Sequence, residues 1–483
     1  MPGTVNKYGF KGNNLLLYFS LLVAVLATSY ATVVLGPEKG VVVVMGLVAL
    51  AVGIIAINNF VFAFYVSTLL SFFIFFIGRY LGDSMPSGYW IDLLILLSFS
   101  GLILHKVRLK EPFFYQAQHT ITTIYILYTL FLVLEAFNPW MHSMAGWFLI
   151  FRKYIQFLMI YIIAINVFKD YRSTINYFKF WIGLSLIAGL YACYQQWFGF
   201  LPFEEAWIMN TPGRKGLYIL VTGVSRRFST FSDPAAFGII SAASFTFILV
   251  LLVSAEKFRT RLLLTVAAVF IILGVAFSGT RTAYFIIVAG VALYILMTIT
   301  NKRTLVFASL FVLGFLVIMF GPIYGNATIN RIRSTFEFSE DASLEVRDVN
   351  RAMIQPYIYR HPIGGGLATS GIQGLEYNPG HFLAGFPPDS GFVKTAVETG
   401  WVGLLLQCLI YLIALLAGVR AFYHTEDKKV KALILASVVC CFAFVIGQYG
   451  QVAIGQFPGC FLFYSCLALI VKSKYLQAEN KNP

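Results

Sequence analysis

Arginines stand close to two positions where helices are expected to begin. Arg226 and Arg227 precede Ser-Asp-Pro at residues 232–234, where the hydroxyl or the carboxylate can cap a helix and the proline fits its first turn. The turn 278–282, Ser-Gly-Thr-Arg-Thr, predicts a second helix start with a hydroxyl cap, a glycine and Arg281. Backbone N–H groups at a helix N-terminus and a guanidinium together bind phosphate. We expect Arg226, Arg227 and Arg281 to bind phosphate; the alternative for each is contact with lipid headgroups.

A third group of arginines lies in a long hydrophilic segment further along the chain. Residues 343–353 have the apolar spacing of a helix, with Arg347 and Arg351 four residues apart on one face. Arg360 is followed by His-Pro and by three glycines at 364–366, which should end the helix and allow close approach of the backbone. We expect these three arginines to belong to the same substrate-binding surface.

Two side chains in that segment are candidates for a general base. Asp389 would be a carboxylate kept ionised by arginines, and His381 is its main rival. Asp233 and Glu398 are further proton acceptors on the same face. A helix cap is the alternative role for Asp389. The acidic residues at 337, 340 and 341 lack metal-ligand spacing and are interpreted as a solvated loop.

The composition indicates what must position these side chains. Of 483 residues, 59% are apolar and 12% are charged, whereas a soluble domain has about a quarter of its residues charged. With a mean hydropathy of +0.79, the chain is a polytopic membrane protein rather than a soluble domain. The net charge of +14 is attributed to loop asymmetry and contact with anionic membrane lipid, and not to nucleic acid.

Six cysteines fall inside apolar segments without the pairing of metal ligands. This disfavours disulfides and zinc sites, and we expect no cofactor.

The predicted fold class is all-α, a bundle of about fourteen transmembrane helices. The predicted spans are 15–35, 41–57, 60–77, 90–104, 120–136, 154–168, 178–198, 235–253, 262–277, 283–299, 304–320, 401–419, 432–446 and 453–471.

Orientation is predicted from the turns in which Lys and Arg collect. Alternate turns are rich in them, whereas the remaining short turns carry only Lys39, Arg79, Arg152, Lys153 and Arg281. The positive-inside rule then places both termini in the cytoplasm and two long segments, 201–233 and 321–390, on the outer side. We expect five segments: an N-terminal bundle (1–198), a first outer loop (199–234), central helices (235–320), a large outer loop (321–399) and C-terminal helices (400–483).

From Arg226 to Leu404 the chain resembles the superfamily of O-antigen ligases and Wzy-type O-antigen polymerases. Arg227 and Gly238 reproduce the spacing of Arg, ten residues and Gly that is described for outer loops of the polymerases, and Arg360 and Gly371 repeat it. The turn 278–281 is similar to a Ser-Gly-Ser-Arg turn of the family. Arg347 precedes a Pro-x-Gly-Gly-Gly element, and residues 396–404 resemble the opening of the span that follows.

One position departs from the ligases. They carry His-Asn eleven residues before the glycine that is Gly400 here, and this chain has Asp389-Ser390 at that place. The departure favours a polymerase or another exopolysaccharide enzyme over a ligase, which remains an alternative through His381.

The resemblance implies an inverting glycosyl transfer that needs no metal. Arg227, Arg281 and Arg347 would hold the diphosphate of an undecaprenyl-diphosphate-linked oligosaccharide, while Asp389 or His381 would deprotonate a hydroxyl of the glycan or lipid-linked acceptor. A periplasmic or extracellular active face of the cytoplasmic membrane is implied, with a chain-length regulator as a further partner. The alternatives are an O-antigen ligase, a protein O-oligosaccharyltransferase and, from another class, a flippase for lipid-linked oligosaccharide. A transporter would more naturally show paired halves, and no internal repeat is found.

Overall fold

The computed structural model describes residues 23, 25–30, 32–34, 36–81, 87–210, 213–219, 223, 225–336 and 342–480. Within these residues the chain is helical, and its β-pairing is limited to two isolated β-bridges. The main helices are α1 (Pro37–Asn58), α2 (Phe60–Tyr80), α3 (Ser87–Leu109), α4 (Thr120–Leu134), α5 (Met144–Val167), α6 (Tyr171–Phe198), α7 (Pro202–Met209), α8 (Arg214–Tyr218), α9 (Pro234–Ser254), α10 (Phe258–Ser278), α11 (Arg281–Thr298), α12 (Lys302–Phe320), α13 (Ala327–Phe336), α14 (Ala342–Arg360), α15 (Gly371–Tyr377), α16 (Gly391–His424), α17 (Lys428–Gly450) and α18 (Gly459–Asn480).

Twelve helices in the described part of the chain are long and apolar enough to cross a membrane. They correspond in order to the third to fourteenth predicted spans, so the prediction of an all-α polytopic bundle is confirmed. The second predicted span falls in α1. The first, 15–35, lies mostly outside the described residues.

Two spans begin about ten residues earlier than predicted. Helix α5 starts at Met144 and not at 154, and α16 starts at Gly391 and not at 401. In both cases the added turns carry charged side chains, which the hydropathy pattern excluded from a span. Three of those charged residues, Arg152, Lys394 and Glu398, have polar partners within the protein, described below.

The centre of the bundle is formed by α9, α17 and α18. In an apolar stretch of 18 residues from each helix, 78% of the positions are buried in α9, 72% in α17 and 89% in α18, against 6% in α12. Helix α9 packs against α10, α11 and α17, and α18 packs against α5 and α17. Helix α12 therefore stands at the edge of the bundle with an apolar surface suited to lipid.

Both long hydrophilic segments lie at one end of this bundle. The first connects α6 to α9 and contains α7 and α8, and the second connects α12 to α16 and contains α13, α14 and α15. Contacts between Arg226, the end of α10 and α13 bring the two segments together. We call this the arginine end. The opposite end, where α6, α10, α12 and α17 begin, is called the lysine end.

Candidate functional site

Three arginines surround the turn between α10 and α11 at the arginine end. The Arg226 Nε donates to the Ser278 carbonyl at 3.0 Å, and its Nη2 donates to Thr280 Oγ1 at 3.0 Å. Arg331 on α13 donates from Nε to the Gly279 carbonyl at 3.3 Å. Arg281 begins α11, and its Nη2 lies 3.4 Å from Ser334 Oγ. Arg226, Arg281 and Arg331 are called the arginine cluster below.

The starts of α9 and α11 stand side by side within this cluster. Asp233 caps α9, because its Oδ1 accepts from the backbone N–H groups of Ala235 and Ala236, both at 2.9 Å. Its Oδ2 accepts from Ser232 Oγ at 2.8 Å, which makes Asp233 a structural cap rather than a base. The expected hydroxyl cap of α11 is wrong. Thr280 occupies that position without capping the helix, since its hydroxyl donates to the Pro234 carbonyl at 2.9 Å.

The electrostatics of the cluster favour an anion. Burial lowers the pKa of Arg226, and the positive charge of Arg331 lowers it further. Burial also lowers the pKa of Arg331. Both guanidinium groups remain cations at neutral pH, because an arginine side chain keeps its proton in proteins. Two partly desolvated like charges repel each other, and a phosphate between them would relieve that repulsion.

Arg227 points away from the cluster, although it is adjacent to Arg226. Its Nε donates to Gln196 Oε1 at 2.9 Å, and its guanidinium lies 4.7 Å from the centre of the Phe200 ring. Its backbone N–H donates to the Phe277 carbonyl at 3.0 Å. Arg227 thus ties the first long segment to α6 and α10, and burial lowers the pKa of its guanidinium.

Asp389 and Arg351 both line a second region, a small cleft between α14 and the start of α16. Arg351 donates from Nη1 to Tyr449 Oη at 2.7 Å and stacks 4.3 Å from the centre of that ring. Ser390, not Asp389, occupies the N-cap position of α16, so the alternative role of Asp389 as that cap is excluded. The cleft is lined by Asn350, Arg351, Phe386, Pro387, Asp389, Ser390 and Val393.

The last residues of α17 connect the cleft to the arginine cluster. Ser390 Oγ donates to the Gln448 carbonyl at 2.9 Å, and Tyr449 binds Arg351 as described. On the other side, Gly450 packs closely against Thr282, the residue that follows Arg281. A Cβ on Gly450 would lie 2.7 Å from Thr282 Oγ1. The end of α17 therefore packs against both α11 and α16, and it places the cleft and the cluster at the same face of the bundle.

The rival base His381 is engaged in its own turn. Its Nδ1 accepts from the Leu383 backbone N–H at 3.1 Å. In the neutral ring this hydrogen bond places the proton on Nε2, which then acts as a donor and not as a base. Burial lowers the pKa of His381, and the positive charges of His142 and His361 lower it further. Asp389 is therefore the better candidate for the base.

The glycine run at 364–366 makes the close backbone approach that its composition predicts. Gly364 and Gly400 have φ of 71° and 66° and lie against each other, and Gly400 is the kink within α16. The N–H of Gly366 donates to the Glu398 carbonyl at 2.8 Å. Glu398 is buried, and its Oε1 accepts from Ser370 Oγ at 2.6 Å, so its role is to hold the loop on α16.

Two further candidates are less informative. Arg360 is exposed at the end of α14, and none of the contacts among the described residues includes its side chain. Arg347 lies in α14, but its side chain is outside the described part of the structure.

Sequence reasoning missed Arg331 and a set of charges within the spans. Arg331 could have been found from the amphipathic pattern of 327–336, which carries two arginines. Arg152 on α5 forms an ion pair with Asp92 on α3 at 2.8 Å, and Lys394 on α16 donates to Gln373 Oε1 at 3.3 Å. Among the described residues, no group of three or more His, Cys, Asp or Glu side chains is arranged to hold a metal.

Comparison with known proteins supports the resemblance found in the sequence. A family model described as O-Antigen ligase matches residues 266–408, which run from α10 through α13, α14 and α15 into α16. The matched region contains Arg281, Arg331, Arg351 and Asp389. It supports a membrane enzyme of the O-antigen ligase and polymerase type. No curated protein matches the chain.

Proposed function

We propose, from the match of residues 266–408 to the O-antigen ligase family, that this chain is an inverting membrane glycosyltransferase, specifically a Wzy-type polymerase of undecaprenyl-diphosphate-linked repeat units. The observation that carries the proposal is that the arginine cluster and the Asp389 cleft both adjoin the end of α17, which packs against α16 through Gln448 and against α11 through Gly450. An anion site beside a carboxylate provides the two groups that transfer from a glycosyl diphosphate requires.

In this proposal, the arginine cluster binds the diphosphate of the donor. Arg226, Arg281 and Arg331 come from three separate elements, so they approach the turn 278–280 from different directions. When the bond between the anomeric carbon and the diphosphate oxygen breaks, negative charge increases on the leaving group. Guanidinium groups fixed beside that oxygen stabilise the charge, and no metal ion is required for this role.

Asp389 acts as the general base in the same step. The acceptor hydroxyl gives its proton to the Asp389 carboxylate while its oxygen forms the new bond to the anomeric carbon. Undecaprenyl diphosphate leaves with the electrons of the broken bond, and the configuration at the carbon is inverted. Arg351 borders the same cleft.

Polymerase is preferred because of the residue that occupies the base position. The chain has Asp389-Ser390 where the ligases have His-Asn, and the nearby His381 is oriented as a hydrogen-bond donor. A ligase is the second candidate, because the matching family model is described by that activity.

The proposal also places the protein in its membrane. Segments 199–234 and 321–399 would face the periplasm or the extracellular space, carried by the helices of 1–198, 235–320 and 400–483. The undecaprenyl chain of the donor would enter between helices, and both termini would be cytoplasmic, as the distribution of Lys and Arg supports. A chain-length regulator would be an additional partner.

Asp389→Asn tests the proposal in the native host. Removing a general base should reduce chain formation by about a hundredfold or more, with accumulation of single lipid-linked repeat units and loss of long chains. Glu376→Gln is the matched control, because Glu376 is an exposed carboxyl group in the same segment. Membrane levels of each variant are measured by immunoblotting, and lipid-linked glycans by gel electrophoresis and mass spectrometry.

Other outcomes would identify the competing functions. Full-length lipid-linked polymer that never reaches its final acceptor would establish the ligase. Repeat units retained on the cytoplasmic side would contradict an enzyme and support a flippase.

A further inference from the structure

A large cavity opens at the lysine end of the bundle, at the opposite end of α10 from the arginine cluster. Its volume is about 710 Å³. Four helices contribute to its wall: the first turns of α6, α10 and α17 and the last turn of α9.

Positive charge predominates at the mouth of this cavity. Its lining includes four lysines, at 179, 257, 428 and 429, and two carboxylates, Glu256 and Asp427. Asp427 caps α17 by accepting from the N–H groups of Lys429 and Val430 at 2.8 and 2.9 Å. Within the part of the chain that the structure describes, none of the ion pairs involves these lysines. The cavity therefore attracts an anion.

The walls become apolar towards the middle of the bundle. Ile182 follows Lys179 by about one turn of α6, and Leu264 follows Thr260 by about one turn of α10. Leu251 and Leu433 extend the same surface from α9 and α17. A basic mouth above an apolar wall, at the end of membrane-spanning helices, is complementary to a phosphate headgroup with its acyl chain.

We propose that this cavity is a binding site for an anionic phospholipid. The lysines contact the headgroup phosphate, and one acyl chain lies against the isoleucine and leucine side chains. The site is separate from the arginine cluster, which lies at the other end of the bundle, and it does not depend on the proposed glycosyl transfer. A bound lipid would join α6 and α10 to α9 and α17, two of the three helices that form the centre of the bundle.

Native mass spectrometry of the full-length protein tests this site. Protein in detergent is titrated with dioleoylphosphatidylglycerol, and bound lipid is counted for the wild type and for two triple variants. The first triple variant removes charge from the cavity and combines Lys179→Gln, Lys428→Gln and Lys429→Gln. Each lysine near an anionic lipid contributes about a fivefold change in affinity, so we expect half-saturation to shift by at least about tenfold.

The control triple variant is Arg259→Gln with Lys302→Gln and Arg303→Gln. It removes the same charge from the same end of the bundle, at exposed residues outside the cavity. We expect lipid binding within about twofold of the wild type. An equal loss in both triple variants would overturn the proposal, because it would show general attraction of lipid to a basic surface.

Two further measurements distinguish a lipid from a soluble anion. Ile182→Trp fills the apolar part of the cavity and should abolish binding of the lipid; unchanged binding would contradict the proposed position of the acyl chain. Inorganic phosphate at millimolar concentration should not displace the lipid from the wild type. Displacement would show that the cavity binds a soluble phosphate and would overturn the lipid assignment.

Discussion

Arg226 and Arg227 are neighbours in sequence but have different surroundings. Arg226 lies beside the turn 278–280 and is close to the positive charge of Arg331. Arg227 instead donates a hydrogen bond to Gln196 and stacks on the Phe200 ring. We expect Arg226→Gln to raise the KM for the lipid-linked donor by at least about tenfold, because a charge-assisted hydrogen bond contributes about 1.5–3 kcal/mol.

Arg227→Gln is the matched variant for that experiment. It should leave the KM within a few fold and lower the free energy of unfolding by about 1–2 kcal/mol, through loss of one partly buried hydrogen bond and one cation–π contact. Kinetics on reconstituted protein and thermal unfolding provide the two measurements. An equal rise in KM for both variants would show that Arg227 binds the donor directly.

His381 predicts a pH dependence of stability. Its pKa is lowered from 6.5 by burial and by the charges of His142 and His361, so the folded protein binds the proton less well than the unfolded chain. Its contribution to stability is therefore complete above about pH 6.5 and is lost as the pH falls below that value. His381→Gln should show a smaller decrease in melting temperature between pH 7.5 and 5.5 than the wild type. Parallel curves for the two proteins would refute this contribution.

The sequence predicted those features of the site that depend on a few consecutive residues. A helix cap depends on a few consecutive residues, so the cap at Asp233 could be predicted. The glycine run at 364–366 likewise predicted a close approach, but not that Gly400 would be its partner. Arg331 joins Gly279 across 52 residues, and the hydroxyl of Thr280 serves α9 instead of its own helix. Such partners are determined by tertiary packing.

At the level of elements, the kink in α16 determines how the large hydrophilic segment is attached. Gly400 has a φ of 66°, and a Cβ there would overlap the Pro362 carbonyl. Gly400→Ala should destabilise the protein by about 2 kcal/mol or more, through backbone strain and this overlap. Gly314→Ala in α12 is the control, because its added methyl group would have no atom within 4 Å apart from its chain neighbours and the backbone of its own helix. Equal melting temperatures for both variants would contradict the account of the kink.

The spans themselves were predictable, but two of their starts were not. Long apolar runs identify membrane helices reliably, and twelve of the predicted spans have counterparts. The first turns of α5 and α16 contain Arg152 and Glu398, which a hydropathy pattern assigns to a loop. In the structure Arg152 pairs with Asp92 and Glu398 accepts from Ser370, so these charged residues lie within helices.

For the whole molecule, the arrangement of helices predicts two chemically distinct faces. Tyr324 is exposed at the arginine end, and Arg303 is exposed at the lysine end. If the positive-inside rule applies, Tyr324→Cys should react with a membrane-impermeant thiol reagent added to intact spheroplasts, and Arg303→Cys should react only after permeabilisation. The reverse pattern would place the arginine cluster in the cytoplasm. Protein with all six native cysteines replaced by alanine is the background for both variants.

The central claim is that the arginine end joins lipid-linked repeat units to one another. The most direct test is to incubate purified, reconstituted full-length protein with undecaprenyl-diphosphate-linked repeat units isolated from a strain that lacks it, and to measure product length by mass spectrometry. We predict a ladder of chains with the release of undecaprenyl diphosphate, and loss of the ladder with Asp389→Asn. Repeat units that remain single in the presence of the wild-type protein, with no release of undecaprenyl diphosphate, would contradict the account.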